Sequence, residues 1–124
     1  MEKVKNKRLL VVEDSPYLQE LNKEILEREG FDVSCVADGK EALDYLRGAD
    51  SKPNLIVLDI TMPDMDGYEF RRKQLADELI ADIPVVVVTG RSLDDELVDM
   101  RVQGVIPKTS GLDTFIEAVH RWCR

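Results

Sequence analysis

Leu55-Ile56-Val57-Leu58-Asp59 is an unbroken apolar run that ends on a carboxylate, and Ile60-Thr61-Met62-Pro63-Asp64-Met65-Asp66-Gly67 follows it. A strand covered on both faces reads as a continuous hydrophobic run rather than an alternating one. In open parallel sheets, ligands bind just beyond the carboxyl ends of such strands, and Asp59 occupies that place. An aspartate there can equally begin a turn. The weight therefore falls on whether other strand ends bring chemistry to the same edge.

They do. Leu9-Leu10-Val11-Val12 has the same design and also ends in acid, Glu13-Asp14, before a helix start at Ser15-Pro16. Adjacent strands lie about 4.8 Å apart, so carboxylates at two neighbouring ends can share one cation. Three clustered acids repel one another, and a cation relieves that. Oxygen donors with no Cys or His beside them suit a hard ion, Mg²⁺ or Mn²⁺, and disfavour zinc. Pro84-Val85-Val86-Val87-Val88 leads into Thr89-Gly90, and Val105-Ile106-Pro107 leads into Lys108. A phosphoryl group on Asp59 would have its oxygens met by metal, hydroxyl and ammonium, the usual means of stabilising such charge.

With Glu13-Asp14, Asp59, the Met62-Pro63-Asp64-Met65-Asp66-Gly67 turn, Thr89 and Lys108 in this order, the chain from about Lys7 to Arg124 resembles the receiver domain of two-component response regulators. The resemblance implies that Asp59 is the phosphoacceptor and that Asp14, Asp59, Glu13 and the backbone carbonyl of Thr61 hold Mg²⁺ or Mn²⁺. Asp14 would be the more direct ligand of the acid pair, with Glu13 acting partly through water. Thr89 and Lys108 would each bond a phosphoryl oxygen. The implied donor is a sensor histidine kinase or a histidine phosphotransfer protein. The output would be a change of surface around residues 90–110, read by a downstream protein partner, with a homodimer through the last two helices as an option. Such a domain catalyses only its own phosphorylation and dephosphorylation and is not otherwise an enzyme.

Two positions depart from the family pattern. The position three before the lysine is commonly an aromatic that swings inward on activation, and here it is Val105, which puts the usual hydroxyl-and-aromatic switch in doubt. The residue after the lysine is commonly proline, and here it is Thr109. Neither touches the metal or phosphoryl groups. The resemblance implies that Thr61 and Arg91 flank the path for hydrolytic water, at positions that vary within the family.

A chain of 124 residues with 44% hydrophobic content supports one domain, residues 1–124, and is too short for a receiver with an attached output module. A free-standing regulator and an excised receiver both remain open. The formal net charge of −8 argues against direct nucleic-acid binding, which needs a basic patch. Cys35 and Cys123 read as two reduced thiols of a cytoplasmic protein. No apolar run approaches the roughly 20 residues of a membrane span, and Met1 to Arg8 lacks a signal-peptide core.

In chain order, Ser15 caps a helix that carries Leu18, Leu21 and Ile25 inward and stops at Gly30. Phe31 to Val36 alternates as an edge strand, expected to be the least buried of the five. Asp38-Gly39-Lys40-Glu41 opens a second helix with Ala42, Leu43 and Leu46 on one face. A third follows Asp66-Gly67, its stripe of Tyr68, Phe70, Leu75, Leu79 and Ile80 broken by Arg71-Arg72-Lys73-Gln74. Ser92 caps a fourth with Leu93, Leu97 and Met100 inside, ended by Gly104. Leu112, Phe115, Ile116, Val119 and Cys123 mark the fifth. Strict alternation predicts an α/β, flavodoxin-like, doubly wound sheet of five parallel strands, order 2-1-3-4-5, with five helices.

Three other classes compete. An aspartate-nucleophile phosphatase would also use a strand-end Asp and Mg²⁺, but its usual second Asp two positions on is Thr61. A flavodoxin needs a phosphate cradle where Glu13-Asp14 would repel one. A receiver-like interaction module that phosphorylation does not regulate would have no need of Asp59, Thr89 and Lys108 together. His120 on the last helix invites a phosphotransfer role, but no four-helix bundle surrounds it. Tyr17, Tyr68 and Trp122 read as packing or partner-surface residues.

Overall fold

The structure, a computed structural model, describes residues 7–60, 67–90 and 95–123, apart from the side chains of 95 and 96. Five strands alternate with five helices: β1 (Arg8–Val12), α1 (Pro16–Arg28), β2 (Asp32–Val36), α2 (Gly39–Gly48), β3 (Leu55–Asp59), α3 (Gly67–Leu75), β4 (Val85–Thr89), α4 (Asp95–Asp99), β5 (Gly104–Pro107) and α5 (Leu112–Trp122). All pairs are parallel and the order is β2-β1-β3-β4-β5, as alternation predicts.

Strand pleating divides the core in two. Leu10, Val12, Ile56, Leu58, Val85 and Val87 face the layer containing Leu43, Leu46, Phe70 and Leu97, while Leu9, Val11, Leu55, Val57 and Val86 face Leu26, Val119 and Cys123. Both sets are buried, which is why β1, β3 and β4 show no polar alternation. Each fully buried Leu, Ile or Val contributes roughly 1.5–3 kcal/mol relative to exposure.

The local signals act largely as their chemistry demands. The Ser15 hydroxyl accepts from the Leu18 N–H at 3.3 Å, Pro16 opens α1, and Gly30 follows its end at φ 97°. The Asp38 carboxylate accepts from the Glu41 N–H at 2.8 Å, and the Glu41 carboxylate accepts from the Ala37 N–H at 2.8 Å, closing the start of α2 from both sides. Cys35 and Cys123 are free thiols.

Several expectations change. β2 is not the least buried strand: β5 has two exposed residues in four and only Ile106 buried, because it is the other edge and is shorter. In α1 the buried residue is Leu26, whereas Leu18 and Ile25 are half-buried and Leu21 is exposed. Of the stripe expected for α3, Tyr68, Phe70 and Ile80 are buried, but the helix ends at Leu75 and the polar interruption contributes to the core. Arg71 and Gln74 are buried, while Leu75 and Leu79 are exposed, Leu79 at 79%. α4 is not ended by Gly104, which lies in β5. Arg101, at φ 56°, is the left-handed residue that turns the chain out of α4. Gly104 instead accommodates Trp122, whose indole nitrogen would lie 2.9 Å from a Cβ there. Leu112, at the start of α5, is 52% exposed. Met1 to Asn6, Ser92, Leu93 and Asp94 lie outside the described residues.

Candidate functional site

Strand register assembles the site. Val12 pairs with Leu58 and Asp59 with Val88, so Glu13 stands beside Asp59, and Thr89 lies one step past Val88. By alternation, Glu13 and Asp59 fall on the same face as Val11 and Val57, at the carboxyl edge of the sheet. A one-residue slip in either strand would send the carboxylates to opposite faces.

The acids converge as the sequence predicts. One carboxylate oxygen from each of Glu13, Asp14 and Asp59 lies within 4.8 Å of the others. Glu13 and Asp59 are buried, at 6% and 4% exposure, and Asp14 is open to solvent. Burial first, and then the charge of Asp59 with hydrogen bonds to Asp14 and Asp59, pushes the Glu13 carboxyl from 4.5 up to about 7, against the pull of the Ser15 N–H. A hard divalent cation fits this set: all donors are oxygen, two are withdrawn from bulk water, and the repulsion among them is what a cation offsets.

Lys108 enters from the end of β5. Its ammonium lies 3.3 Å from Asp59 Oδ2, and its N–H donates to the Thr89 carbonyl at 2.8 Å, so Thr89 and Lys108 are fixed to each other through the main chain. Thr89 is 1% exposed. Val105 is half open at 37% and pairs in register with Val87. A Cβ at Gly90 would meet nothing within 4 Å, so crowding does not explain that glycine. Thr61, Met62 to Asp66 and Arg91 lie outside the described residues.

Beneath the acids, between α1 and α5, is a cleft of about 340 Å³ whose walls include Leu21, Ile25, Val57, Ile106 and Phe115. His120 on α5 lies 3.0 Å from Glu29, just past the end of α1, and its ring sits tilted against that of Phe31 with centroids 4.9 Å apart. His120 thus has a structural place, with Glu29 and Phe31 as its partners. Tyr17 is 72% exposed at the start of α1.

One contributor escaped sequence reasoning. The side-chain amide of Gln19, on α1, donates to the main-chain carbonyl of Glu13 at 2.6 Å. Its only sequence signal is its place one turn after the Ser15 cap.

Fold and site together define a doubly wound α/β domain with an acidic cluster and a lysine at the carboxyl edge of its sheet, and comparison with known proteins places it in a family. Residues 9–120 match the family described as the response regulator receiver domain, and the chain belongs to that family. It is 37% identical over 109 residues to the response regulator Rre1 of Synechocystis, covering 87% of this chain and 43% of Rre1. It is 34% identical over 109 residues to the DNA-binding response regulator MtrA of Mycolicibacterium smegmatis, covering 88% of this chain and 42% of MtrA. The chain therefore spans less than half the length of these relatives. Among solved structures, the phosphorylated cyanobacterial phytochrome response regulator RcpA superposes with a TM-score of 0.82 at 30% identity, covering 95% of this chain and 94% of that one. Among the described residues, no helix is long and apolar enough to cross a membrane.

Proposed function

We propose that this receiver domain takes a phosphoryl group onto Asp59 from a sensor histidine kinase or histidine phosphotransfer protein and thereby switches a surface read by a downstream protein. The observation that carries this reading is the convergence on Asp59 of the Lys108 ammonium at 3.3 Å and the carboxylates of Glu13 and Asp14. In the transfer, an Asp59 oxygen attacks phosphorus, the Asp59 O–P bond forms, and the P–N bond to the donor imidazole breaks with the imidazole leaving. Lys108 stabilises the charge on the phosphoryl oxygens, and Thr89 donates its hydroxyl to another of them. Glu13, Asp14 and Asp59 would hold Mg²⁺ or Mn²⁺, with the Thr61 carbonyl as the implied further ligand. That ion would supply further positive charge to the phosphoryl oxygens. The phosphorylated state of the similar RcpA supports the reading.

The domain acts in this reading as a signalling element whose only catalysis is on itself, within the cytoplasm. Once phosphorylated, Asp59 draws Thr89 and Lys108 toward it and displaces residues 90–104 through the backbone, because Val105 is too small for an aromatic latch. Exposed Val98 on α4 and Leu112 on α5 are the apolar positions for a homodimer through those helices. The test is incubation with a small acyl phosphate and Mg²⁺ followed by intact mass. One phosphoryl adduct is expected in the parent and none in Asp59→Asn, since the amide is no nucleophile. Equal labelling of the variant, or an acid-stable adduct on Ser or Thr, would overturn the assignment.

A further inference from the structure

Gln19 is bound to its surroundings at three points. Its own N–H donates to the Ser15 carbonyl at 2.9 Å, its carbonyl accepts from Cys35 Sγ at 3.6 Å, and its side-chain Nε2 donates to the Glu13 carbonyl at 2.6 Å. The first two bonds root the residue in α1 and against β2. The third reaches back across the loop that carries Glu13 and Asp14.

That reach matters because the Glu13 carbonyl belongs to the same rigid peptide plane as the Asp14 N–H. Holding the carbonyl fixes the orientation of that plane, hence the direction in which Asp14 leaves the chain. Glu13 has other restraints: its N–H donates to the Val36 carbonyl at 3.0 Å, its carboxylate accepts from the Ser15 N–H at 3.2 Å, and it is buried. Asp14 is open to solvent, so packing does little to aim it. The main-chain plane does that instead, and the peptide oxygen of the plane is held by Gln19.

We propose that Gln19 is a positioning residue for the cation site, orienting the Glu13–Asp14 peptide so that the Asp14 carboxylate joins those of Glu13 and Asp59. This rests on the metal-binding reading above and adds to it a residue that touches neither metal nor phosphoryl group. Without the bond, the peptide plane can rotate, the three carboxylates no longer converge without cost, and that cost appears as weaker cation binding rather than as a slower chemical step.

The decisive experiment measures free Mn²⁺ by electron paramagnetic resonance during titration of the unphosphorylated full chain, comparing parent with Gln19→Met, which keeps length and helix propensity but has no donor. Mn²⁺ affinity should fall about 10-fold, the lower end of what losing an outer partner of a metal ligand typically costs. Amide exchange at residues 14 and 15 should quicken without metal. In labelling by acyl phosphate, the Mg²⁺ concentration for half-maximal rate should rise while the rate at saturating Mg²⁺ is kept. Leu26→Val, buried on the same helix away from the loop, serves as a stability control and should lower the melting temperature while leaving Mn²⁺ affinity at the parent value. Parent-like Mn²⁺ affinity in Gln19→Met, or equal loss in Leu26→Val, would overturn the positioning role. No Mn²⁺ binding by the parent would sink the metal reading itself, and the role of Gln19 with it.

Discussion

The guanidinium of Arg71 on α3 donates through Nε to the main-chain carbonyl of Met100, at the end of α4, at 2.9 Å. A second nitrogen reaches the Arg101 carbonyl at 2.8 Å and a third the Gln74 side chain at 2.6 Å. Gln74 passes the restraint on, donating to the carbonyls of Ile80 and Ile83 at 2.9 and 3.0 Å. A cation at a helix C-terminus complements the exposed carbonyls there. Burial lowers the pKa of this arginine, which sets a cost against those bonds.

Arg71→Met should therefore destabilise the fold by about 2–4 kcal/mol, since carbonyls placed to accept are left without a donor. Urea unfolding measures the loss, and amide exchange should quicken first across residues 97–103. A variant with unchanged urea midpoint would show that solvent replaces the guanidinium at no cost.

The pH dependence of the metal-free protein follows from Glu13. Its folded pKa, about 7, is above the 4.5 of the unconstrained side chain, so the unfolded chain gives up this proton first as pH rises. The stability it contributes is fully present below pH 4.5, is lost between there and about 7, and is flat beyond. Thermal melts in chelator from pH 4.5 to 8 should show that decline, and Glu13→Gln should flatten it.

Asp14→Ala removes one of three crowded carboxylates. Without divalent ions the variant should be more stable, by on the order of 1 kcal/mol for an exposed charge near two others. It should gain less from added Mg²⁺ than the parent does. Differential scanning fluorimetry over a Mg²⁺ series reads both effects, and an identical Mg²⁺ shift in the two proteins would contradict a site at Glu13, Asp14 and Asp59.

Gly67→Ala tests the entry to α3. A Cβ there would lie 2.8 Å from the Ile60 Cα and 2.9 Å from its Cγ2, closer than atoms can pack, and main chain cannot swing aside as a side-chain tip can. A loss of about 1–3 kcal/mol is expected in urea unfolding.

The parts of this molecule that depend on local pattern were legible in its sequence: the strands covered on both faces, the Ser15 and Asp38 caps, and the stop at Gly30. So was the convergence of Glu13, Asp14, Asp59 and Lys108, because a parallel sheet sends every strand end to one edge. What stayed hidden depends on partners distant in sequence. Arg71 and Gln74 read as a solvated interruption of a helix stripe, yet their hydrogen-bond acceptors lie up to 30 residues away. Arg101, rather than the nearby Gly104, turns the chain out of α4, and Gly104 is already paired with Val86 in β5. Gln19 has only its place one turn after the Ser15 cap to mark it, since its acceptor is a main-chain atom and main-chain atoms are the same at every position.

The contact between Ile60 and Gly67 also has a topological meaning. The end of β3 and the start of α3 meet at a neck with no room for a side chain on Gly67, so the strand that carries Asp59 and the first turn of α3 are held as one unit. A single methyl group at the neck should thus disturb the sheet edge and the helix together.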